Sequence, residues 1–158
     1  MDAAKPSNPK FPGRIAGIDY GTVRIGIAVT DQERRIASPF ANYTRRGSSA
    51  DADYFCRLAR EERISQFVVG LPIHLDGRES QKSHEARSFG QWLGETTAVP
   101  VVYFDERFTT SEAEGFLEAA QLTKKQRKAR LDKLAAQIML ASYLESDQKT
   151  PPLQGLDE

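Results

Sequence analysis

The chain has a single cysteine, Cys56, in 158 residues. That excludes an internal disulfide and any cysteine-rich zinc site, and a lone thiol fits a reducing compartment. Neither sign of charge is in excess: Lys plus Arg and Asp plus Glu both number 22. Global charge therefore argues neither for nor against a polyanionic partner, and any attraction must come from local patches. No apolar run is long enough to span a bilayer. Met1 to Pro12 is polar, carries Pro6, Pro9 and Pro12, and lacks the apolar core of a signal peptide. A cytoplasmic protein with no membrane partner is expected. The two histidines, His74 and His84, stand apart from each other and from any cysteine, so a nitrogen- or sulfur-ligated metal is not expected. The one tryptophan, Trp92, is expected to pack rather than to stack on a base.

What is present is a chain of one-domain size, long enough to bury roughly two thirds of its unfolded surface. Residues 1–12 read as a disordered leader and 147–158, with Pro151-Pro152 and Gly155, as a flexible tail. The domain is expected over 13–146. Apolar residues enter at Ile15, Asp19 closes the run, Gly21 opens a turn, and Arg24 to Val29 leads back as a second strand. A third, less regular strand covers Arg35 to Thr44, where Pro39 implies an edge or a bulge.

A helix follows from about Asp51 to Arg63, with Phe55, Leu58 and Ala59 inward and Cys56 beside them. Gln66 to Leu71 is almost continuously apolar, as in a strand covered on both faces, and Pro72 ends it. A helix from Glu79 to Leu93, a buried strand from Val99 to Phe104, a helix opened by Ser111 with Glu114 as a capping box, and a last helix from Leu131 to Glu145 complete the order. The basic segment Lys124 to Arg130 is expected to separate the last two helices. Three hairpin-linked antiparallel strands followed by helix-linked parallel strands predict an α/β fold: a mixed five-stranded sheet with helices on both faces. The carboxyl ends of strands one, four and five then share one edge, where ligand sites of open sheets lie.

Three acidic positions converge at that edge: Asp19, the pair Asp105-Glu106, and Asp132, expected in the first turn of the last helix and followed by the small Ala135 and Ala136. Two carboxylates ~5 Å apart at an effective dielectric of ~20 repel by roughly 3 kcal/mol, and a divalent cation reverses that sign. Oxygen-only ligands point to Mg2+ or Mn2+, which accept phosphate oxygens alongside a few carboxylates. The implied reaction is metal-assisted phosphodiester hydrolysis. Lys124, Lys125, Arg127, Lys128, Arg130 and Lys133 surround Asp132 in sequence, and Arg24, Arg45 and Arg46 extend the patch, so a nucleic-acid backbone is the expected partner. Arg107 is placed to contact a phosphate or to clamp a neighbouring carboxylate.

Four stretches taken together, Gly17-Ile18-Asp19-Tyr20-Gly21-Thr22, Val69-Gly70-Leu71-Pro72 with Asp76-Gly77, Asp105-Glu106-Arg107, and Asp132-Lys133-Leu134-Ala135-Ala136, resemble the YqgF family of Holliday-junction-resolvase-like proteins in the RNase H-like superfamily. The resemblance implies an RNase H-like fold and a metal-dependent nuclease that matures the 5′ end of pre-16S rRNA, with a ribosomal particle as a possible partner. It implies Asp19, Glu106 and Asp132 as catalytic acids and ligands of Mg2+ or Mn2+, with Asp105 as a neighbour. Strand four ends in Gly70-Leu71-Pro72 without the acid many RNase H-like nucleases carry there, so Glu106 would have to reach across from strand five. The loop His74-Leu75-Asp76-Gly77-Arg78 also departs from the family's usual Asn-Met-x-Gly-Thr/Ser.

Three other readings share these residues. Actin-like and sugar-kinase ATPases use the same Asp-x-Gly-Thr hairpin, but they close two lobes on a nucleotide and this chain has residues for one. A non-catalytic RNA or ribosome binder would use the same basic segment. A resolvase of four-way DNA junctions would need a homodimer to cut two strands, and the sequence is compatible with a monomer or a homodimer.

Overall fold

A computed structural model of the chain describes residues 13–109 and 124–149, excepting the side chains at 124–132 and 147–149. The expected leader, the capped helix beginning near Ser111 and the tail from Thr150 onward lie outside the described residues. The described elements are β1 (Arg14–Asp19), β2 (Arg24–Thr30), β3 (Ala37–Thr44), α1 (Ser48–Glu61), β4 (Ile64–Leu71), α2 (Gln81–Thr97), β5 (Val101–Asp105), a 3-10 turn (Glu106–Phe108) and α3 (Lys124–Lys149).

The five strands form one sheet in the order β3-β2-β1-β4-β5. β1 pairs antiparallel with β2, and β2 with β3, whereas β1 and β4, and β4 and β5, are parallel. This is the mixed sheet expected, with the carboxyl ends of β1, β4 and β5 on one edge. Pro39 sits as its missing N–H requires: β3 is an edge strand, and its pairing with β2 skips Phe40 in a bulge between Ile27↔Ala41 and Ala28↔Pro39.

Strand alternation sorts the core into two layers. On one face Ala16, Ile18, Ile25, Ile27, Phe67 and Val69 pack against Phe55 and Leu58 of α1 and Ala86, Phe89 and Leu93 of α2. On the other, Ile15, Ala28, Val68 and Phe104 pack against Ala136, Met139, Leu140 and Leu144 of α3. Phe55 and Phe67 are fully buried, each contributing about 2–3 kcal/mol of transfer free energy. Gly17 faces α3, and a Cβ there would stand 2.9 Å from Cβ of Leu140 and 3.4 Å from the carbonyl oxygen of Ala136. The close approach expected from small residues at 135–136 is therefore made on both sides, by fully buried Ala136 on the helix and Gly17 on the sheet.

Most element ends fall within two residues of expectation, and two helix ends differ by more, for local reasons. α1 starts three residues early, because Gly47 at φ 104° supplies the N-cap position. α2 runs four residues further, to Thr97, and ends where Ala98 turns left-handed and its N–H reaches the carbonyl of Gly94; those last residues carry no apolar stripe to signal helix. The larger correction is at α3. The basic segment is not a separating loop but its first two turns, and Asp132 falls in the third turn rather than the first. The favourable macrodipole interaction of a first-turn acid is therefore absent at Asp132, since that effect fades within a turn. α3 also continues through Lys149, so 147–149 belong to the helix rather than to the tail.

Candidate active site

β1 places Asp19 at its carboxyl end, half-buried. Alternation from Ile15 and Gly17 turns Asp19 to the face covered by α3. One step beyond the last parallel pair, Ile18↔Val69, Asp19 comes level with Gly70 on the neighbouring strand, about 4.8 Å away in the hydrogen-bonding direction. Gly70 follows Val68 and Val69 and faces α3 as well.

The space a side chain at Gly70 would take is filled by Glu106. Its Oε2 lies against the position of a Gly70 Cβ, with Cγ and Cδ 3.2 Å from it. Glu106 opens the 3-10 turn after β5, and that turn folds its side chain back over β4. A carboxylate from the turn after the next strand thus occupies the place where strand four carries none, and the glycine is what admits it. Burial pushes the Glu106 carboxyl above the ordinary glutamate value; the charge of Lys82 opposes that and the charge of Asp105 adds to it.

Asp105 goes elsewhere. Phe104 packs toward α3 and Tyr103 toward α2, so Asp105 turns to the opposite face from Asp19. There Arg107 grips it with Nε 2.9 Å and Nη2 2.6 Å from Oδ2, and the backbone N–H of Arg107 donates to Oδ1 at 2.9 Å. These bonds hold the Asp105 carboxyl below its usual value. Of the two roles considered for Arg107, the geometry has the carboxylate clamp, with Nη1 also 3.4 Å from the carbonyl of Leu75.

Asp132 belongs to the helical backbone of α3, its side chain being outside the described residues. It precedes Ala136 by about one turn, or 6 Å. Asp19 follows Gly17 by two residues, about 7 Å. The two positions thus each lie one short step from the same Gly17–Ala136 contact. Among the described residues, no three His, Cys, Asp or Glu side chains stand together as a metal cage; the two described acids on this face are Asp19 and Glu106. The side chains of Lys124, Lys125, Arg127, Lys128 and Arg130 are likewise outside the described residues. Lys133 is half-buried on α3, and Arg24 is exposed at the start of β2.

Arg45 is occupied structurally, whereas Arg46 is engaged through its backbone N–H, and its side chain is exposed with the guanidinium carbon 5.8 Å from the Tyr43 ring centroid. The Asp51 carboxylate is fully buried and accepts from the Tyr43 hydroxyl at 2.6 Å, the Arg46 N–H at 2.9 Å and Arg45 Nε at 3.2 Å. Burial pushes this carboxyl up, but those three donors together bring it below its usual value. Arg45 also donates from Nη1 to the Tyr20 hydroxyl at 3.0 Å. Two features beside Glu106 are not legible in the sequence, Gly70 as its seat and Lys82 as a nearby charge, and neither is the structural role of the buried Asp51. An acid directly after β5 carries no local signature that ties it to a glycine on β4, and nothing in the sequence around Asp51 marks it as buried. Cys56 packs as expected, its Sγ 3.4 Å from the Thr96 carbonyl, and Trp92 packs against Phe89.

A family model described as "RuvX: Holliday junction resolvase" matches residues 13–146. A protein of Rhodopirellula baltica named "Putative pre-16S rRNA nuclease" is 50% identical over 138 residues, covering 86% of this chain and 80% of that protein. One of Neisseria gonorrhoeae with the same name is 40% identical over 139 residues, covering 86% of this chain and 91% of its own. Among solved structures, Thermus thermophilus RuvC in complex with Holliday junction substrate aligns with a TM-score of 0.53 at 17% identity, over 84% of this chain and 95% of that one. The Fowlpox virus resolvase with Holliday junction DNA aligns at 0.51 and 13% identity, over 84% and 97%. At these identities the two structures establish a shared resolvase-like fold.

Proposed function

The chain belongs to the RuvX family of Holliday junction resolvases, and from that premise we propose that it is a metal-dependent nuclease processing the 5′ end of pre-16S rRNA, with Asp19, Glu106 and Asp132 as its catalytic acids. The observation that carries this reading is the Glu106 carboxylate seated over Gly70, level with Asp19 on the same face of the sheet. The substrate follows the name of the relative that is 50% identical.

The donor set fits a hard divalent cation. It offers carboxylate oxygens only, and burial leaves Glu106 with its charge incompletely compensated by Lys82, a situation a cation relieves. Asp19, Glu106 and Asp132 would hold Mg2+ or Mn2+, which when bound polarises the phosphate and lowers the pKa of a coordinated water. The remaining work belongs to the chain. Gly70 admits Glu106 to the edge and the 3-10 turn aims it. The Arg107 clamp keeps Asp105 on the far face, so that a single acid of the pair serves the site. Lys82 and Arg24 at the carboxyl edge, with Lys133 and the basic first turns of α3, attract the phosphate backbone, and Arg107 is left to its clamp. Among the described residues no helix is long and apolar enough to cross a membrane; the cytoplasm is the compartment this reading implies for a ribosomal precursor.

The test is cleavage of a 5′-extended rRNA precursor with Mg2+ or Mn2+, comparing the native protein with folded Asp19→Asn and Asp132→Asn variants. Metal-dependent cleavage lost in both is the expected result. Binding without cleavage by the native protein, or equal cleavage by the variants, refutes it. The description of the matching family favours a second substrate, a four-way DNA junction, and the same preparations assayed on one decide between the two.

A further inference from the structure

A cleft of about 340 Å3 opens between the start of α1 and the outer face of α2. It lies on the opposite side of β1 from the proposed acids and takes no part in holding them. Its floor is aromatic: Phe89, itself a core residue only 5% exposed, sits between the half-buried rings of Tyr20 and Trp92, with centroids 5.1 Å and 5.4 Å away, so the rings open to the cleft are Tyr20 and Trp92. Arg45 lies across the first two rings, its guanidinium carbon 5.4 Å from the Tyr20 centroid and 5.5 Å from that of Phe89. Asp51 and the Tyr20 hydroxyl fix its orientation through Nε and Nη1, and the remainder of the planar fork lines the cleft.

The rim is polar. Gln81, His84 and Ser88 line it from successive turns of α2, and Ser48 lines it from the first turn of α1. α1 is capped by Gly47, which has no side chain to take the first amides of the helix. An aromatic floor, a cation held over part of it, and amide and hydroxyl groups around the edge suit an unpaired nucleobase and its phosphate. The volume is at the small end of ligand sites and suits one nucleotide, not a base pair.

Position connects this cleft to the catalytic edge. Tyr20 directly follows Asp19 and turns to the other side of the strand. It also lines a second, smaller cleft of about 230 Å3 with Gly21, Arg24 and Lys82. Glu85 lies in the walls of both. A single strand leaving the acids therefore passes Lys82 and Arg24 and reaches the aromatic floor without leaving the surface.

We propose that the Tyr20–Phe89–Trp92 cleft is a stacking subsite that takes one unpaired nucleotide flanking the cleaved bond. This rests on the nuclease reading above for its place in a reaction, but not for its binding chemistry. It gives the enzyme a preference for substrates with a single-stranded segment beside the scissile phosphate. Because every base presents a π-face, the subsite accepts RNA and DNA and is tolerant of sequence.

Trp92 is the only tryptophan of the chain, so its fluorescence reports this cleft directly. The full-length protein in EDTA, where cleavage is suppressed, is titrated with a single-stranded RNA octamer, the DNA octamer of the same sequence, and the RNA duplex. Both single strands quench Trp92 and the duplex does not. Ser88→Tyr and Ser48→Tyr fill the cleft from opposite walls, keep Trp92, and weaken single-strand binding about tenfold, with folding verified by circular dichroism and Tm. Absence of quenching by single strands, or unchanged affinity in both folded variants, overturns the proposal. Precursor cleavage measured in parallel separates it from the nuclease reading: cleavage without quenching refutes the subsite alone, and quenching without cleavage refutes the nuclease alone.

Discussion

Replacing Gly70 by alanine separates the catalytic requirement at that position from the structural one. The backbone of Gly70 is not in the left-handed region, so alanine fits the strand, and the change by itself is worth a few tenths to 1 kcal/mol in favour of folding. The conflict lies with Glu106, whose Oε2 lies against the new methyl group and whose Cγ and Cδ stand 3.2 Å from it. Ordinary contact at about 3.5–4 Å requires the carboxyl to retreat by about 1 Å. That retreat leads toward water and relieves the burial that raises its pKa, so stability is little changed. A catalytic group misplaced by about 1 Å costs roughly 100-fold in rate, equivalent to about 2.7 kcal/mol of activation free energy. The assay pairs initial rates of precursor cleavage at saturating Mg2+ with thermal unfolding in EDTA. A Tm within a few degrees of native and a rate reduced about 100-fold are expected. A folded Gly70→Ala protein that cuts within threefold of native would refute the idea that Gly70 exists to seat Glu106.

Glu106→Gln tests the same carboxyl through its protonation. A carboxyl whose folded pKa is raised binds more protons folded than unfolded, so it costs nothing in acid and lowers stability as pH rises from the unfolded value through the folded one. The metal-free variant should match native at pH 4 and melt higher than native at pH 8; equal melting temperatures at pH 8 would remove burial as the cause. Asp51→Asn has the opposite sign. The native carboxylate is held below its usual pKa, so its contribution is present above about pH 4 and is lost as pH falls through the folded value. Urea unfolding at pH 7 should show a loss of about 3 kcal/mol, since the Arg45 charge loses its buried partner, and this deficit should narrow in acid. Gly17→Val puts a branched side chain where Leu140 Cβ already stands 2.9 Å from a first carbon. It should cost about 1–3 kcal/mol by overpacking and reduce cleavage by shifting the helix that carries Asp132; an unchanged denaturation midpoint would show that α3 does not need the close approach.

Much of the architecture is legible in the chain because the signals are local. Period-two apolar runs separated by Gly21 specify a hairpin whatever surrounds it, and Pro39 marks an edge because it lacks a donor wherever it is placed. The run from Gln66 to Leu71 announces a strand covered on both faces, and Phe55 and Leu58 fall on the buried stripe of their helix. Helix limits were less legible where no side chain signals them. Gly47 acts through its backbone alone, and the charged first turns of α3 carry no apolar stripe, since nothing in the pattern requires them to pack.

The sequence by itself determined which strands exist, their antiparallel-then-parallel order, and that acids close β1 and β5 at one edge of the sheet, because hydrophobic alternation and turn chemistry act within a few residues. Only the tertiary structure shows why Glu106, which the family resemblance already preferred to Asp105, is the one turned toward Asp19. The choice follows from strand alternation read against the face α3 covers, from a 3-10 turn that folds Glu106 back, and from the absence of a side chain at Gly70, 36 positions earlier in the chain. The same holds for Asp51, buried because Tyr43 and Arg45 close over it, and for the aromatic cleft, whose walls come from the residue after β1, the turn between β3 and α1, α1 itself and α2. Contacts between residues remote in sequence cost chain entropy that packing of the whole core must offset, and so they exist only once the sheet and both helical layers have formed together.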